Sequence, residues 1–287
     1  MKLASYLKGD KPSYGVVTEK GIIDLGTRLG PEIPTLRDLI AADFAGMRDI
    51  LETTSPDIAL DKVHWLPVIP NSGAVWCAGL NTHSHFHEAK ERMKFAELPK
   101  VPMFFLRSQH TLIGHGQALE KPSLEPNFDY EGEIAVIIGK RCRNVSVADA
   151  SDHIAGYACF NDGSARQYQI RSHQVTTGKN GYHSGGFGPW MVTADEIDIN
   201  DLALQTRVNG EVRQNMKIDD LIFSFADMIS HISEVTWLEP GDVIVTGSAE
   251  GAGALRNPPL FLQDGDVVDI EVAGIGNLSN PVVEQKL

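Results

Sequence analysis

The sequence predicts an α+β fold in which strands dominate, with a small leading unit, residues 1–70, ahead of a larger unit, residues 71–287. Two observations carry this. Short runs rich in Val, Ile, Tyr and Phe recur along the chain, each closed by Gly, Pro, Asn or Asp. Helical spacing is confined to a few short stretches. A chain of 287 residues suffices for one large core, or for one core plus a small extra domain.

In the leading unit, residues 2–7, 14–18 and 21–25 read as strands separated by turn residues. Thr35 caps a helix whose apolar residues are Leu36, Leu39 and Ile40, and a second helical piece spans 44–52. Pro67 and the run Pro70-Asn71-Ser72-Gly73 then punctuate the chain, and the boundary is set there. No cluster of chemistry precedes it. A strand over 74–79 follows, then a helical segment from Thr82 to about Phe95. Residues 101–107 read as a buried strand and 108–114 as a loop. The apolar run 134–138 is a buried strand, 144–156 holds a short helix, and 157–162 and 187–192 return to buried strands. Residues 204–208 and 211–214 flank Asn209-Gly210, a pair that favours the type I′ turn of a hairpin. Asp219-Asp220 starts a helix whose stripe of Leu221, Phe225, Met228, Ile229 and Ile232 is core packing. Strands at 243–246 and 267–272 close the chain, the second as the last element.

The formal net charge of −13 argues against nucleic acid or an anionic membrane as a partner. Cys77, Cys142 and Cys159 form no CxxC pair, and free buried thiols in a reducing cytoplasm are expected. An amino-terminal apolar signal and an apolar run long enough to span a bilayer are both lacking, so a cytoplasmic protein is expected.

Chemistry concentrates around Glu131 and Glu133, two carboxylates at the mouth of the strand 134–138. Positions i and i+2 of a strand share a face. Like charges at that spacing repel unless a proton or a cation sits between them. Either they are a solvated pair at a strand end, or they join Asp162, at the end of another apolar run, as three hard oxygen donors suited to Mg²⁺ or Mn²⁺. His83, His85 and His87 alternate in the helical segment; without an HExxH pattern or a shared face, zinc is not expected. His85 and Glu88 stand at i, i+3. They form either a surface ion pair or a general base oriented by its carboxylate. Arg107 and His110 meet an anionic substrate or serve as structural donors. Asp162, Arg166 and Gln169 fall at i, i+4, i+7 and would face one cavity from one helix; a capping Asp with a local Arg pair is the alternative. Gly178-Lys179 lies in a turn that matches neither phosphate-binding glycine motif, so a nucleotide cofactor is not expected. The glycines of 247–253 let the Ser248 hydroxyl approach a ligand closely.

Taken in order, these stretches resemble the fumarylacetoacetate hydrolase superfamily. The matching residues are Gly79-Leu80-Asn81 with His85 and Glu88; Asp129-Tyr130-Glu131-Gly132-Glu133; Asn161-Asp162-Gly163-Ser164-Ala165-Arg166; Gly178-Lys179; Gly188-Pro189-Trp190; Val208-Asn209-Gly210; and Leu238 to Asp242 through Thr246 to Gly251. The resemblance implies a mixed, barrel-like β-roll as the catalytic domain, in a homodimer. It implies one Mg²⁺ or Mn²⁺ held by Glu131, Glu133 and Asp162, a base dyad of His85 and Glu88 on a lid, and Lys179 near the reacting oxygens. Arg166, Gln169 and Ser248 match polar residues of the pocket, with Arg107 added as a further contact to substrate. Gln167 and Thr82 depart from the family's usual Asp and Tyr, and Ser248 from its usual Thr, which bears on the substrate side chain. The implied activity is hydrolysis of a C–C bond in an acylpyruvate of the fumarylpyruvate or maleylpyruvate type, giving pyruvate and a carboxylic acid in aromatic-compound breakdown. Decarboxylation or tautomerisation of a 2-oxo diacid, a ureidoglycolate lyase activity and a non-enzymatic binding role are the alternatives.

Overall fold

A computed structural model describes residues 1–286 apart from 45, 46, 48, 49, 52, 53, 94–96 and 173, with the side chains of 91–93 also outside the description. The helical piece expected over 44–52 and the end of the helix expected near Phe95 lie largely outside the described residues. The strands are β1 (Lys2–Lys8), β2 (Lys11–Thr18), β3 (Gly21–Asp24), β4 (His64–Trp65), β5 (Val75–Gly79) and β6 (Met103–Arg107). They continue with β7 (Leu112–Ile113), β8 (Leu119–Lys121), β9 (Phe128–Asp129), β10 (Gly132–Ile138), β11 (Ile154–Asn161) and β12 (Ser164–Ala165). The last third holds β13 (Gly185–Thr193), β14 (Ala203–Val208), β15 (Glu211–Lys217), β16 (Val243–Val245), β17 (Val267–Val272) and β18 (Gly276–Glu284).

One large sheet runs β3-β2-β1-β13-β11-β10-β16-β5-β6, with β4 beside β1 and β7 beside β13. A second sheet runs β15-β14-β17-β18-β8, and β9 pairs with β12. The large sheet has two ends, β3 and β6, so it is open rather than closed into the barrel-like form expected from the resemblance. The central strand β10 is buried on both faces. Its alternation splits the core: Ile134, Val136 and Ile138 pack with the second sheet and the helix Phe225–Val235, while Ala135 and Ile137 pack with Leu36, Leu39 and Ile40. Glu133, two residues before Ala135, therefore leaves the second of these faces.

The first 70 residues enter this same architecture. Leu3 of β1 pairs with Met191 of β13, and Leu3, Tyr14 and Leu36 share a core with Val75, Ala135 and Phe160. Thr35 accepts from the Asp38 N–H at the start of Leu36–Ala41. The Asn209-Gly210 pair adopts positive φ at both positions and joins β14 to β15, with Val208 opposite Glu211. Among the described residues, no helix is long and apolar enough to cross a membrane. All three cysteines are free and buried.

Three expectations are corrected. Residues 101–107 do not form a buried strand: β6 is the sheet edge, and Met103 and Leu106 are exposed. The helix expected from Asp219-Asp220 begins at Phe225, because Ser224 and Asp227 form a reciprocal cap there; Leu221 instead bridges Thr82. The strand β17 is not the last, since β18 pairs with both β17 and β8.

Asp24 anchors the leading strands. Its buried carboxylate accepts from Lys8, from Ser13 Oγ at 2.7 Å and from Thr27 Oγ1 at 2.6 Å. Burial pushes its pKa up, but the bonds from Lys8, Thr27 and Ser13 outweigh that and hold it well below the usual carboxylate range. A depressed folded pKa stabilises above the unfolded value, about 4, and this contribution is lost as pH falls toward the folded value. Asp24→Asn is expected to cost roughly 1–3 kcal/mol near neutrality, with a smaller difference at acid pH. Urea unfolding of both proteins across that range checks it; an equal loss at every pH would remove the charge from the account.

Candidate active site

Antiparallel pairing brings the start of β10 beside the end of β11: Gly132 lies opposite Asn161, and Glu133 opposite Phe160. This is how acids thirty residues apart in sequence meet. The junction is pinned by Glu131 N–H donating to Asn161 Oδ1 at 3.1 Å and Asp162 N–H donating to Glu131 O at 2.8 Å. Glu131, Glu133 and Asp162 are 5, 2 and 1 % exposed. One carboxylate oxygen from each lies within 4.8 Å of the others. Gly247 N–H donates to Glu133 Oε2 at 2.6 Å. Gly247 holds φ +97°, and a Cβ there would stand 2.8 Å from Asn81 Cβ, so only glycine lets the loop come this close.

Three cations face these acids. Lys179 Nζ bridges Glu131 Oε2 and Asp162 Oδ2, the latter at 2.7 Å. Arg166 donates to Asp129 Oδ2 and Glu131 Oε1 at 2.8 Å and to Gln169 Oε1 at 2.9 Å. Arg107 Nη1 donates to Asp162 Oδ1, while Nη2 donates to Ser184 Oγ at 2.7 Å. Burial favours the neutral form of Glu131, but Arg166, then Lys179 and His85, override it and hold the carboxyl well below its usual range. Glu133 goes the other way: burial, then Asp162 and Glu131, raise it well above the carboxylate range. Burial disfavours the Lys179 ammonium, yet Asp162 and Glu131 raise its pKa.

A divalent cation fits this donor set. Three buried carboxylate oxygens are hard ligands of the kind Mg²⁺ and Mn²⁺ take. Burial raises Glu133 first, and the repulsion from Asp162 and Glu131 that adds to it is one a cation would relieve.

The second half of the site is the helix His83–Met93. His85 Nδ1 lies 3.5 Å from Glu88 Oε2, within ion-pair range and beyond a formed hydrogen bond. Both Glu88 oxygens accept from Gly251 N–H at 3.1 Å. At the helix base, Thr82 Oγ1 donates to Ser248 O at 2.7 Å and Ser84 N–H donates to Asp220 Oδ1 at 3.1 Å. Asn81 Nδ2 donates to Thr246 O at 2.8 Å and to Phe223 O at 3.0 Å. The helix is thus fastened at two levels to the 247–253 loop, and His85 is near enough to the acids to help depress Glu131.

Of the residues singled out in the sequence, the structure gathers Glu131, Glu133, Asp162, Lys179, Arg166 and Gln169 at one centre, with His85 and Glu88 beside it. Ser248 is buried in the neighbouring loop. Asp162 is not on the helical face expected for it; it follows β11, and the helix Arg166–Gln169 starts after β12. Arg107 has its guanidinium turned inward to Asp162, with the side chain fully buried. His110 and His87 are exposed, and His87 rests edge-on against Phe86. Three contributors were missed. Asp129 ties Arg166 to the loop by accepting Gly253 N–H at 2.8 Å and Ala254 N–H at 2.9 Å. Glu125, fully buried, accepts Gln167 N–H at 2.8 Å and Tyr168 N–H at 3.2 Å, setting the short helix that carries Arg166. Gln214 reaches the loop from β15. Asp129 stood in a stretch already singled out; nothing local marked the other two.

Residues 74–283 match the fumarylacetoacetate (FAA) hydrolase C-terminal family. The chain belongs to this family. Among its relatives, the oxaloacetate tautomerase YisK of Bacillus subtilis is 39 % identical over 223 residues, covering 77 % of this chain and 73 % of that protein. The maleylpyruvate hydrolase from a Sphingobium species, solved with manganese(II) and pyruvate, superposes with a TM-score of 0.80 at 29 % identity, covering both chains fully. The 5-carboxymethyl-2-hydroxymuconate delta-isomerase from Mycobacterium smegmatis superposes with a TM-score of 0.78 at 29 % identity, covering 99 % of this chain and all of that one. The fumarylacetoacetate hydrolase family therefore includes tautomerases, hydrolases and isomerases, and the chain has the fold of its solved members.

Proposed function

We propose that this protein is a divalent-metal-dependent enzyme of 2-oxo acids, and that its reaction is keto–enol tautomerisation of an oxaloacetate-type diacid. The observation that carries the proposal is the placement of one imidazole–carboxylate pair, His85 and Glu88, beside three converging acids. The names of the tautomerase relatives support the choice of reaction. Glu131, Glu133 and Asp162 would hold one Mg²⁺ or Mn²⁺, which when bound polarises a carbonyl and steadies negative charge on its oxygen. The remaining work falls to side chains. Enolisation removes a proton from the carbon beside the 2-oxo group and places one on the oxygen. His85 Nδ1 faces Glu88, which leaves Nε2 to take the carbon proton and deliver it to the 2-oxo oxygen, and to run the same transfer backwards in the reverse direction. Lys179 Nζ sets a positive charge among the acids, where the oxygen becomes anionic. Arg166 fixes Glu131 and Gln169, and Ser248 donates to the substrate carboxylate.

Hydrolysis of an acylpyruvate is the second reading. It uses the same base, with His85 Nε2 taking a proton from water, and the Sphingobium neighbour bound to pyruvate supports it. Incubating the protein, supplied with Mn²⁺, with enol-oxaloacetate and with fumarylpyruvate separates the two. Loss of enol absorbance without pyruvate or CO₂ release is the expected result; release of pyruvate and a second acid from fumarylpyruvate would favour hydrolysis. Excess chelator is expected to abolish turnover, and added Mn²⁺ or Mg²⁺ to restore it. Turnover that persists in chelator would remove the metal from the reaction.

A further inference from the structure

Gln214 belongs to none of the groups described above as reacting, yet it touches the site from two sides. It faces inward on β15 and is 1 % exposed. Its Oε1 accepts from Gly132 N–H at 3.0 Å, the peptide between Glu131 and Glu133. Its Nε2 donates to Ser248 Oγ at 2.8 Å and to Ala249 O at 2.9 Å. This set fixes the amide. Exchanging oxygen and nitrogen would turn a donor toward Gly132 N–H and an acceptor toward the Ala249 carbonyl, leaving both unpaired in a buried place. Ser248 Oγ is therefore an acceptor from Gln214, and the hydroxyl proton is directed to some other group. Ser248 O is already occupied by Thr82 Oγ1. Ser248 follows Gly247, whose N–H holds Glu133.

We propose that Gln214 is a positioning residue that keeps the Ser248 proton turned away from β15 and free for the site, so that the loop donates to the carboxylate of a 2-oxo acid. This rests on the functional reading above. A hydroxyl free to rotate can turn its proton toward any neighbour; one that accepts from a buried amide N–H cannot turn its proton toward that amide, and the proton stays available to an acceptor elsewhere. Gln214 also ties the mouth of β10 to the 247–253 loop, so the serine and the acids move as one unit.

The test uses the full chain loaded with Mn²⁺ and oxalate as the probe. Gln214→Met is expected to weaken oxalate about tenfold, with KM rising and kcat little changed, and with Mn²⁺ affinity held within about twofold. Ser248→Ala is expected to lose about as much, and adding Gln214→Met to it to cost nothing further. Gln214→Glu keeps volume and the acceptor for Gly132 N–H but turns the serine proton toward itself, and is expected to weaken oxalate at least as much. It decides the matter if Gln214→Met fails to fold in thermal unfolding. Unchanged oxalate affinity in the folded variants, or an equal loss from Gln214→Met with and without Ser248, would overturn the proposal. A parental protein that binds no oxalate would overturn the functional reading itself and this inference with it; parental binding with unmoved variants overturns only the inference.

Discussion

His85→Ala is expected to lower kcat by about 10²–10⁴ while leaving Mn²⁺ and oxalate affinity within about twofold. The size follows from the role: a positioned base relays the proton in the rate-determining transfer, and no neighbour replaces it. Glu88 lies 3.5 Å from the His85 ring, but both of its oxygens accept from Gly251 N–H, so it is held in place to orient rather than to reach. His83 and His87 sit two residues away on either side, and His87 is exposed. The selectivity of the effect follows from geometry. His85 is not one of the three acids, and its loss removes only a modest electrostatic contribution to Glu131, behind those of Arg166 and Lys179. Glu88→Gln is expected to cost less, about tenfold, because the amide oxygen still accepts Gly251 N–H while the carboxylate that orients the imidazole is replaced by an amide. Single-turnover kinetics with oxalate titrations on the same preparations measure both. Full turnover in His85→Ala would give the base role to another group; loss of Mn²⁺ binding in it would place His85 in the metal site.

What the sequence reveals of this site is what local spacing controls. Glu131 and Glu133 flank Gly132 at the head of five apolar residues, and that pattern alone places them on one face of a buried strand. Asn209-Gly210 fixes a hairpin because its two residues tolerate positive φ. What it hides is decided by distant partners. Arg107 ends an apolar run as a base whose partner local spacing does not name, and its guanidinium is directed inward by Asp162, fifty-five positions away. Met103 and Leu106 look like core residues, but their strand is the last of its sheet, and no further strand covers it among the described residues. The strand 267–272 is expected to be the last, yet β18 follows it because β17 supplies backbone partners to 276–281 and β8 to 282–284. Asp162, Arg166 and Gln169 converge as expected, but by a strand end and a separate short helix rather than by one helical face. Convergence was legible because each residue sits at the end of an element; the path between them depends on where β12 pairs with β9.

Glu131→Gln is expected to abolish detectable divalent binding, a loss of at least about 10²-fold in affinity, while keeping the fold. Two effects add. The variant removes one of the three carboxylates proposed as ligands, and it removes the anion that offsets Arg166 and Lys179, so the remaining site repels a cation. The amide still accepts from Arg166 Nη2, which is why Gln rather than Ala is the informative substitution: Glu131→Ala leaves two buried cations short of a partner and is expected to cost about 3–5 kcal/mol of stability. The pH dependence has a defined sign. With its folded pKa depressed, Glu131 contributes stability above the unfolded carboxylate value, about 4, and loses it as pH falls toward the folded value. Glu131→Gln should therefore unfold at lower urea than the parent near neutrality and approach it in acid. Calorimetric titration with Mn²⁺ and urea unfolding at two pH values read the two halves separately. Mn²⁺ bound with parental affinity by a folded Glu131→Gln would move the metal elsewhere. The ion pairs of Glu131 would then be structural, and the base on the neighbouring helix would lack the charge sink its chemistry requires.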